Sequence, residues 1–364
     1  MNDNFISSVW DFKQVSLNET GYLTHDFLRW YGKLIPQLAS RLIKLYSEEN
    51  ELVLANFAGS GTVLIESNVL KRNVIGIDSS PLSILLCKVK TTAYKPNSTK
   101  FLLSLKEYIE ENKDKQFEMD KFDKKWYDPN TFNKMMLIKE RIKKIKEENE
   151  RNYYLVALAA ITRKISNVDS RSINHIVIDK NKAKTDVLDE FSQKIADMNE
   201  SMEEYIKVAT RASVLVKRGD ARNIDQINDN SIDLIISHPP YLGHINYSNI
   251  FSLANKIIGH EYSDLRENDI STNNLDKYMV NMKKVFDEMS RVLKSKKYAC
   301  VIIGDNRVNG NVVPTFSYFI NYASEKGFKL KDIFIWVMNQ KAGMSIKRRG
   351  NHMDHNYILI FQKA

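Results

Sequence analysis

Two short runs far apart in the chain carry the residue types best suited to chemistry. In Phe57-Ala58-Gly59-Ser60-Gly61-Thr62 the glycines let the backbone turn sharply and approach a ligand with no Cβ in the way. The helix expected after them offers unpaired N–H groups. Asp78, about 17 residues beyond Gly61, ends the next apolar run and is placed to accept hydrogen bonds from two ribose hydroxyls. The spacing leaves no pyrophosphate cradle, which argues for a nucleoside without phosphates. Asp220, closing "VLVKRGD" beside Ala221, would face the adenine amine. The second run, His238-Pro239-Pro240-Tyr241, closes "SIDLIISHPPY". Its prolines remove two backbone donors and stiffen the segment, leaving the Pro239 carbonyl to accept from a ligand, and Tyr241 offers a ring face. An amine on a nucleobase is a poor nucleophile because its lone pair is delocalised. Two fixed acceptors gripping its hydrogens favour a more tetrahedral nitrogen, ready to take a methyl group. A base brought out of its stack regains about 1–3 kcal/mol on an aromatic face.

The elements that must position these runs read as an α/β protein. Apolar positions at helical spacing after Pro36 lead into the short buried strand "ELVLANF", then the glycine turn, the helix "TVLIESNVLKR" and the strand "NVIGID". This is a β-turn-α-β unit, the building block of a parallel sheet. A further helix spans about 81–89. From about 93 to 212 the alternation stops and long charged amphipathic segments predict a mostly helical insertion, broken by the polar stretch "ITRKISNVDSRSINHIVIDKNKAKT". The α/β pattern resumes with strands at "SVLVKRGDAR", "SIDLIISHPPY" and "KYACVIIGD" and helices near 275–293 and 315–326. The strands "KLKDIFIWV" and "NYILIFQK" follow as an antiparallel hairpin expected to close the sheet. Three parts result: residues 1–92 for the cofactor, 93–212 as the insertion, and 213–364 for catalysis.

The chain has 364 residues, 43% hydrophobic and 27% charged, enough for a sizeable core. No long apolar run or leader-like N-terminus is present, so a cytosolic protein with no membrane attachment is expected. Cys87 and Cys300 lack metal-ligand spacing and read as buried small hydrophobes, with no metal site. Net charge is +9, yet residues 101–150 hold 12 basic and 12 acidic side chains, so the excess lies elsewhere. Arg163, Lys164, Asn167 and Arg171 in the polar break, and Lys347, Arg348 and Arg349 near the end, are the candidate phosphate contacts. Trp126 and Tyr127 read first as packing residues, and His25 and His244 as hydrogen-bonded structural ones.

On these motifs the chain resembles the S-adenosylmethionine-dependent DNA amino-methyltransferases, which modify exocyclic nitrogens of adenine or cytosine. Phe57, Gly59, Gly61 and Thr62 match the family's glycine turn, Asp78 its ribose acid, Gly219-Asp220 its third motif and Pro239-Pro240-Tyr241 its catalytic loop. Trp10-Asp11-Phe12, Thr24-His25, Tyr31-Gly32-Lys33 and Pro36 resemble the cofactor-side motif that precedes the turn. The resemblance implies a Rossmann-like, mostly parallel sheet with a helical insertion, S-adenosylmethionine as cofactor, and double-stranded DNA as partner. It also implies a role in restriction-modification or phage defence, with a restriction endonuclease as possible companion. The cofactor residues it implies are Thr24, Tyr31, Lys33, Asn56, Phe57, Gly59, Gly61, Thr62, Asp78, Asp220 and Ala221.

Two departures matter. Ala55-Asn56-Phe57 stands where the family has Asp-Pro-Phe, so the acid expected near the methionine amino group is missing at Ala55, and Asn56 is the candidate to substitute for it. His238 stands where Asp, Asn or Ser is usual. A neutral imidazole keeps one lone pair for the amine and a protonated one keeps none, so activity is expected to fall as the ring titrates between about pH 5.5 and 8. No Pro-Cys pair exists, which argues against carbon-5 methylation of cytosine. An RNA base-amine methyltransferase and a non-catalytic DNA-binding relative remain as alternatives. The sequence leaves open the target base, the recognition site and the oligomeric state.

Overall fold

The computed structural model describes residues 6–12, 15–16, 18–172, 175–243, 245–261, 270–308, 311–337, 346–348, 351–353 and 355–364. The chain starts with β1 (Ile6–Asp11), then α1 (Pro36–Tyr46), which has proline at its first position, where the missing N–H costs nothing. There follow β2 (Leu52–Ala55), α2 (Thr62–Val69), β3 (Asn73–Asp78) and α3 (Pro81–Thr91), the last begun by Ser80 accepting from the Ser83 amide at 3.3 Å. This is the β-turn-α-β unit expected from the sequence.

Five helices come next: α4 (Ser98–Glu111), α5 (Lys121–Trp126), α6 (Pro129–Lys143), α7 (Glu148–Ile165) and α8 (Val187–Val208). In α8 the buried positions Val187, Phe191, Ile195, Met198, Met202 and Tyr205 recur at three- and four-residue steps, one face of a helix. They pack with Phe101, Tyr154 and Leu158 into a core separate from those on the two faces of the sheet. Trp126 and Tyr127 are buried in that helical core and offer no platform to a base.

The sheet resumes with β4 (Val214–Arg218) and β5 (Ile232–Ser237), then α9 (Tyr247–Ile250), α10 (Ser252–Ile258), α11 (Leu275–Val292) and β6 (Leu293–Ile303). A small ribbon, β7 (Asn306–Val308) with β8 (Asn311–Val313), precedes α12 (Thr315–Glu325) and β9 (Phe328–Val337). A second ribbon, β10 (Ile346–Arg348) with β11 (Asn351–Met353), precedes β12 (His355–Lys363). The eight-stranded sheet has the order β1-β9-β12-β6-β5-β2-β3-β4. From β6 to β4 every neighbour is parallel, and β12 runs antiparallel to both β6 and β9. Every residue of β5 is buried, as a parallel strand covered on both faces requires.

Two expectations are corrected. β9 and β12 do pair antiparallel, but the hairpin leaves the sheet open: β12 inserts between β6 and β9, and β1 adds beyond β9 in parallel. Trp10 and Asp11 therefore belong to an edge strand, where Trp10 stacks on Phe334 under the Arg41 guanidinium. Their backbone is committed to pairing with Trp336 and Val337. Among the described residues, no helix is long and apolar enough to cross a membrane.

Candidate active site

Strand order reverses between β2 and β5: the chain winds outward through β3 and β4, then returns to β5 and β6 on the other side. Ligands bind at such a reversal, beyond the carboxyl ends of the strands. The glycine turn leaves the end of β2 and His238 leaves the end of β5, and these two strands are direct neighbours. A pocket opens there with about 1220 Å³ of empty space, solvent at its mouth included, room for more than one ring system. Asn56, Phe57, Gly59, Thr62, Asp78, Asp220 and Ala221 all line it, together with Lys33, His238 and Pro240.

On the cofactor side, Gly59 and Gly61 adopt φ of +51° and +81°, the left-handed region that glycine enters freely. A Cβ on Gly61 would come within 3.0 Å of Cys87 Sγ. The Asp78 carboxylate accepts from the Gly59 amide at 2.8 Å and the Ser80 amide at 2.9 Å, which fixes it at the pocket rim. Asn56 is 1% exposed, and neither side-chain polar atom has a hydrogen-bond partner. A buried amide in that state is costly unless something entering the pocket satisfies it. Asp220 is less available, since Arg222 grips both its oxygens and is itself held by Asn281. That pairing keeps its carboxyl below the usual range despite burial.

The catalytic loop is arranged differently from the expectation. His238 and Pro240 reach the pocket, whereas Pro239 is buried and Tyr241 does not line it. The Tyr241 hydroxyl lies 3.1 Å from His238 Nε2, and its ring packs against the sheet core. The Tyr278 hydroxyl donates to the Pro240 carbonyl at 2.9 Å and steadies the loop. Burial pushes the His238 imidazole down to about 4. At that value the ring is neutral between about pH 5.5 and 8, which moves the expected decline in activity to lower pH.

In the N-terminal segment Lys33 lines the pocket, near Asp26 at 3.7 Å, and burial lowers its pKa. Thr24 and Tyr31 do not line it. Thr24 donates to the Lys90 carbonyl at 2.9 Å beneath the pocket, and Tyr31 is buried between the Arg29 and Arg163 guanidinium groups. His25 is structural, its Nε2 2.9 Å from the buried Glu66 carboxylate. Among the phosphate-contact candidates, Arg163 is committed to the protein, donating to the Ser172 carbonyl at 2.8 Å and lying over Tyr31. Lys164 pairs with Glu190, and Asn167 is pinned through its backbone to Trp126 and Asp179. Arg171 and Lys164 point outward, with 84% and 61% of their side chains exposed although Arg171 pairs with Asp169. The loop carrying these residues docks on α9, where Asn249 Oδ1 accepts from the Ile176 amide at 3.0 Å. Lys347 and Arg348 lie in the β10–β11 ribbon, while Arg349 and His244 fall outside the described residues.

The sequence reading missed one wall of the pocket. Trp30 stacks on Phe251 with ring centroids 4.3 Å apart, and Tyr247 stacks on Phe251 at 6.3 Å. Ser248 and the buried Asn255 join them, Asn255 with its Oδ1 unpartnered. The available signal was the spacing of Tyr247, Phe251 and Asn255, one helix face just beyond the proline pair.

A doubly wound sheet with a glycine turn, an acid closing the next strand and a proline-paired loop at one strand reversal defines the class I methyltransferase architecture. The DNA methylase family model matches residues 1–88 and 232–364, and the chain belongs to that family. S-adenosylmethionine is the cofactor that goes with this family and fold, and the unsatisfied Asn56 amide beside the turn fits a ligand with polar groups of its own. Relatives include the type II methyltransferase M.MvaI of Kocuria varians, 24% identical over 61% of this chain and 54% of the relative. Another is M.MjaII of Methanocaldococcus jannaschii, 23% identical over 82% of this chain and 75% of the relative. This chain thus spans about half the length of M.MvaI. Among solved structures, a DNA modification methylase of Thermus thermophilus in complex with S-adenosyl-L-methionine is 20% identical, over 40% of this chain and 51% of that one, with a TM-score of 0.27.

Proposed function

We propose that this chain transfers a methyl group from S-adenosylmethionine to the exocyclic amine of an adenine or cytosine flipped out of duplex DNA. The observation that carries the reading is that His238 and Pro240 line the same pocket as Asn56, Gly59 and Asp78. When bound, the cofactor supplies an electrophilic methyl group on a sulfonium. Asp78, which accepts from the Gly59 and Ser80 amides at the pocket rim, binds the ribose hydroxyls, and Asn56 can satisfy its amide on the methionine amino or carboxylate group.

His238 accepts a hydrogen of the target amine only in one tautomer. Nε2 must carry the proton and donate to the Tyr241 oxygen, which leaves the Nδ1 lone pair for the amine. Tyr241 thus sets the imidazole, and the aromatic wall of Trp30, Phe251 and Tyr247 receives the base in its place. Residues 93–212 serve target recognition between the cofactor part, 1–92, and the catalytic part, 213–364. Arg171, Lys164 and Asn167, with Lys347 and Arg348 from the distal ribbon and Arg349, contact phosphates. The biological setting is restriction-modification or phage defence in the cytoplasm, alongside a cognate endonuclease.

Labelled S-adenosylmethionine offered with DNA and with tRNA tests the reading. Label on DNA, released as a single N-methylated nucleoside on digestion, is the expected result. Label on tRNA alone would assign the chain to RNA, and label on neither would make it a non-catalytic relative.

A further inference from the structure

Lys90 was invisible to the sequence reading, one of the two lysines on α3, the other being the exposed Lys88. In the fold it is 0% exposed, lying directly beneath the glycine turn. Its ammonium donates to the Ser60 carbonyl at 2.8 Å and to the His25 carbonyl at 3.0 Å. Its own carbonyl accepts from Thr24 Oγ1 at 2.9 Å. Tyr22 and His25 in turn hold the Glu66 carboxylate on α2, at 2.6 and 2.9 Å, so the segment is tied to both helices that flank the turn.

A buried ammonium is expensive, and a methionine of similar shape would fill the same slot without that cost. What the lysine does that methionine cannot is bond two carbonyls from segments 35 residues apart in sequence. One is Ser60, in the middle of the turn and on the pocket wall. The other is His25, a few residues before Trp30 and Lys33, which also line the pocket, Trp30 with its Nε1 3.5 Å from where a Cβ on Gly59 would lie. We propose that Lys90 is the positioning residue of the cofactor pocket, joining the glycine turn to the N-terminal segment in the arrangement that S-adenosylmethionine requires. This rests on the cofactor reading above.

The titratable groups facing Lys90 are Lys33 and Asp26 from the N-terminal segment, Lys194 from α8 and, from its own helix, the Cys87 thiol, which burial pushes up to about 12 and so keeps neutral. Burial, with Lys33 adding repulsion, pushes its pKa down to about 7. Ammonium and neutral amine each keep at least two N–H donors. Both carbonyls therefore stay bonded in either form, and the role predicts cofactor affinity without a titration step near neutrality.

The test is a direct S-adenosylmethionine titration of the purified full chain and of Lys90→Met, followed by steady-state kinetics. The expected result for a folded Lys90→Met is a Kd raised about tenfold or more, with kcat at saturating cofactor within about threefold of the parent and the KM for DNA unchanged. Thr24→Val removes a hydrogen bond of the same cluster but leaves both Lys90 donor bonds in place. It should lower the melting temperature while keeping the cofactor Kd within about twofold. Lys90→Gln, which keeps donors for one carbonyl, should fall between parent and Lys90→Met and supplies the measurement if Lys90→Met does not fold. An unchanged Kd in either Lys90 variant, or an equal loss in Thr24→Val, overturns the assignment. Absence of cofactor binding by the parent chain would instead overturn the cofactor reading itself.

Discussion

The two walls of the pocket are built on different terms. On the cofactor wall the backbone itself is tied down: Gly59 donates to Asp78, Ser83 Oγ donates to the Gly59 carbonyl at 2.7 Å, and Lys90 donates to the Ser60 carbonyl. The Ala58 amide reaches the Ile77 carbonyl at 2.9 Å, which fastens the turn to the neighbouring strand. On the other wall the His238 loop is tied through side chains, His238 with Tyr241 and Tyr278 with Pro240. The aromatic residues ride on a helical backbone, the Phe251 amide bonding the Tyr247 carbonyl at 3.1 Å and the Asn255 amide the Phe251 carbonyl at 2.8 Å. A cofactor common to every turnover can be met by a fixed surface. On the proposed reading an extruded base enters and leaves the other wall, and aromatic faces, which stack any base without a fixed hydrogen-bond pattern, suit that traffic.

That contrast can be broken most sharply at His238. Replacing it with alanine should lower kcat by about 100-fold or more, as losing one preorganised group does, while the cofactor Kd stays as it was. A parallel loss of cofactor binding would merge the two walls. Gly61→Ala attacks the other side, placing a Cβ against Cys87 at φ +81°. Strain there costs about 1–2 kcal/mol, so cofactor affinity should weaken by roughly tenfold and the melting temperature should drop, both readable by calorimetry. Tyr241→Phe leaves the ring but frees the His238 tautomer, and should lower kcat a few-fold with cofactor and DNA binding intact.

The smallest expected effect concerns pH. With the His238 pKa near 4, activity should be flat between about pH 5.5 and 8 and decline only as pH approaches 4. His25 is held down to about 4 as well. In the unfolded chain both rings would bind protons first as pH falls from about 6.5, so the stability they contribute is present above that value and lost on the way down to about 4. A decline of activity near pH 6.5 in a fully folded enzyme would show that His238 is more open to water than its surroundings indicate.

What could be read from sequence was whatever local backbone chemistry dictates. Glycines at positive φ, prolines at a strand end and an acid closing a strand all announce themselves within a few residues, and the β-turn-α-β unit and the strand bearing His238 followed from them. The aromatic wall was hidden because Trp30 and Phe251 meet only through the fold, more than 200 residues apart in sequence. Lys90 was hidden because a lysine on a helix normally faces water. Arg163 misled in the opposite direction, a cation in a polar stretch that turned out to brace its own loop. β1 escaped because "ISSVWD" is short and weakly alternating, with nothing nearby in sequence to pair with.

That outermost strand bears on how the chain assembles. Trp10 lies beside Trp336, a pairing of residues more than 300 positions apart. Loop-closure entropy must be met in full before such a contact gains anything. Amides of β1 that bond β9 should accordingly gain hydrogen-exchange protection late during refolding and lose it early under mild denaturant, ahead of those in β5.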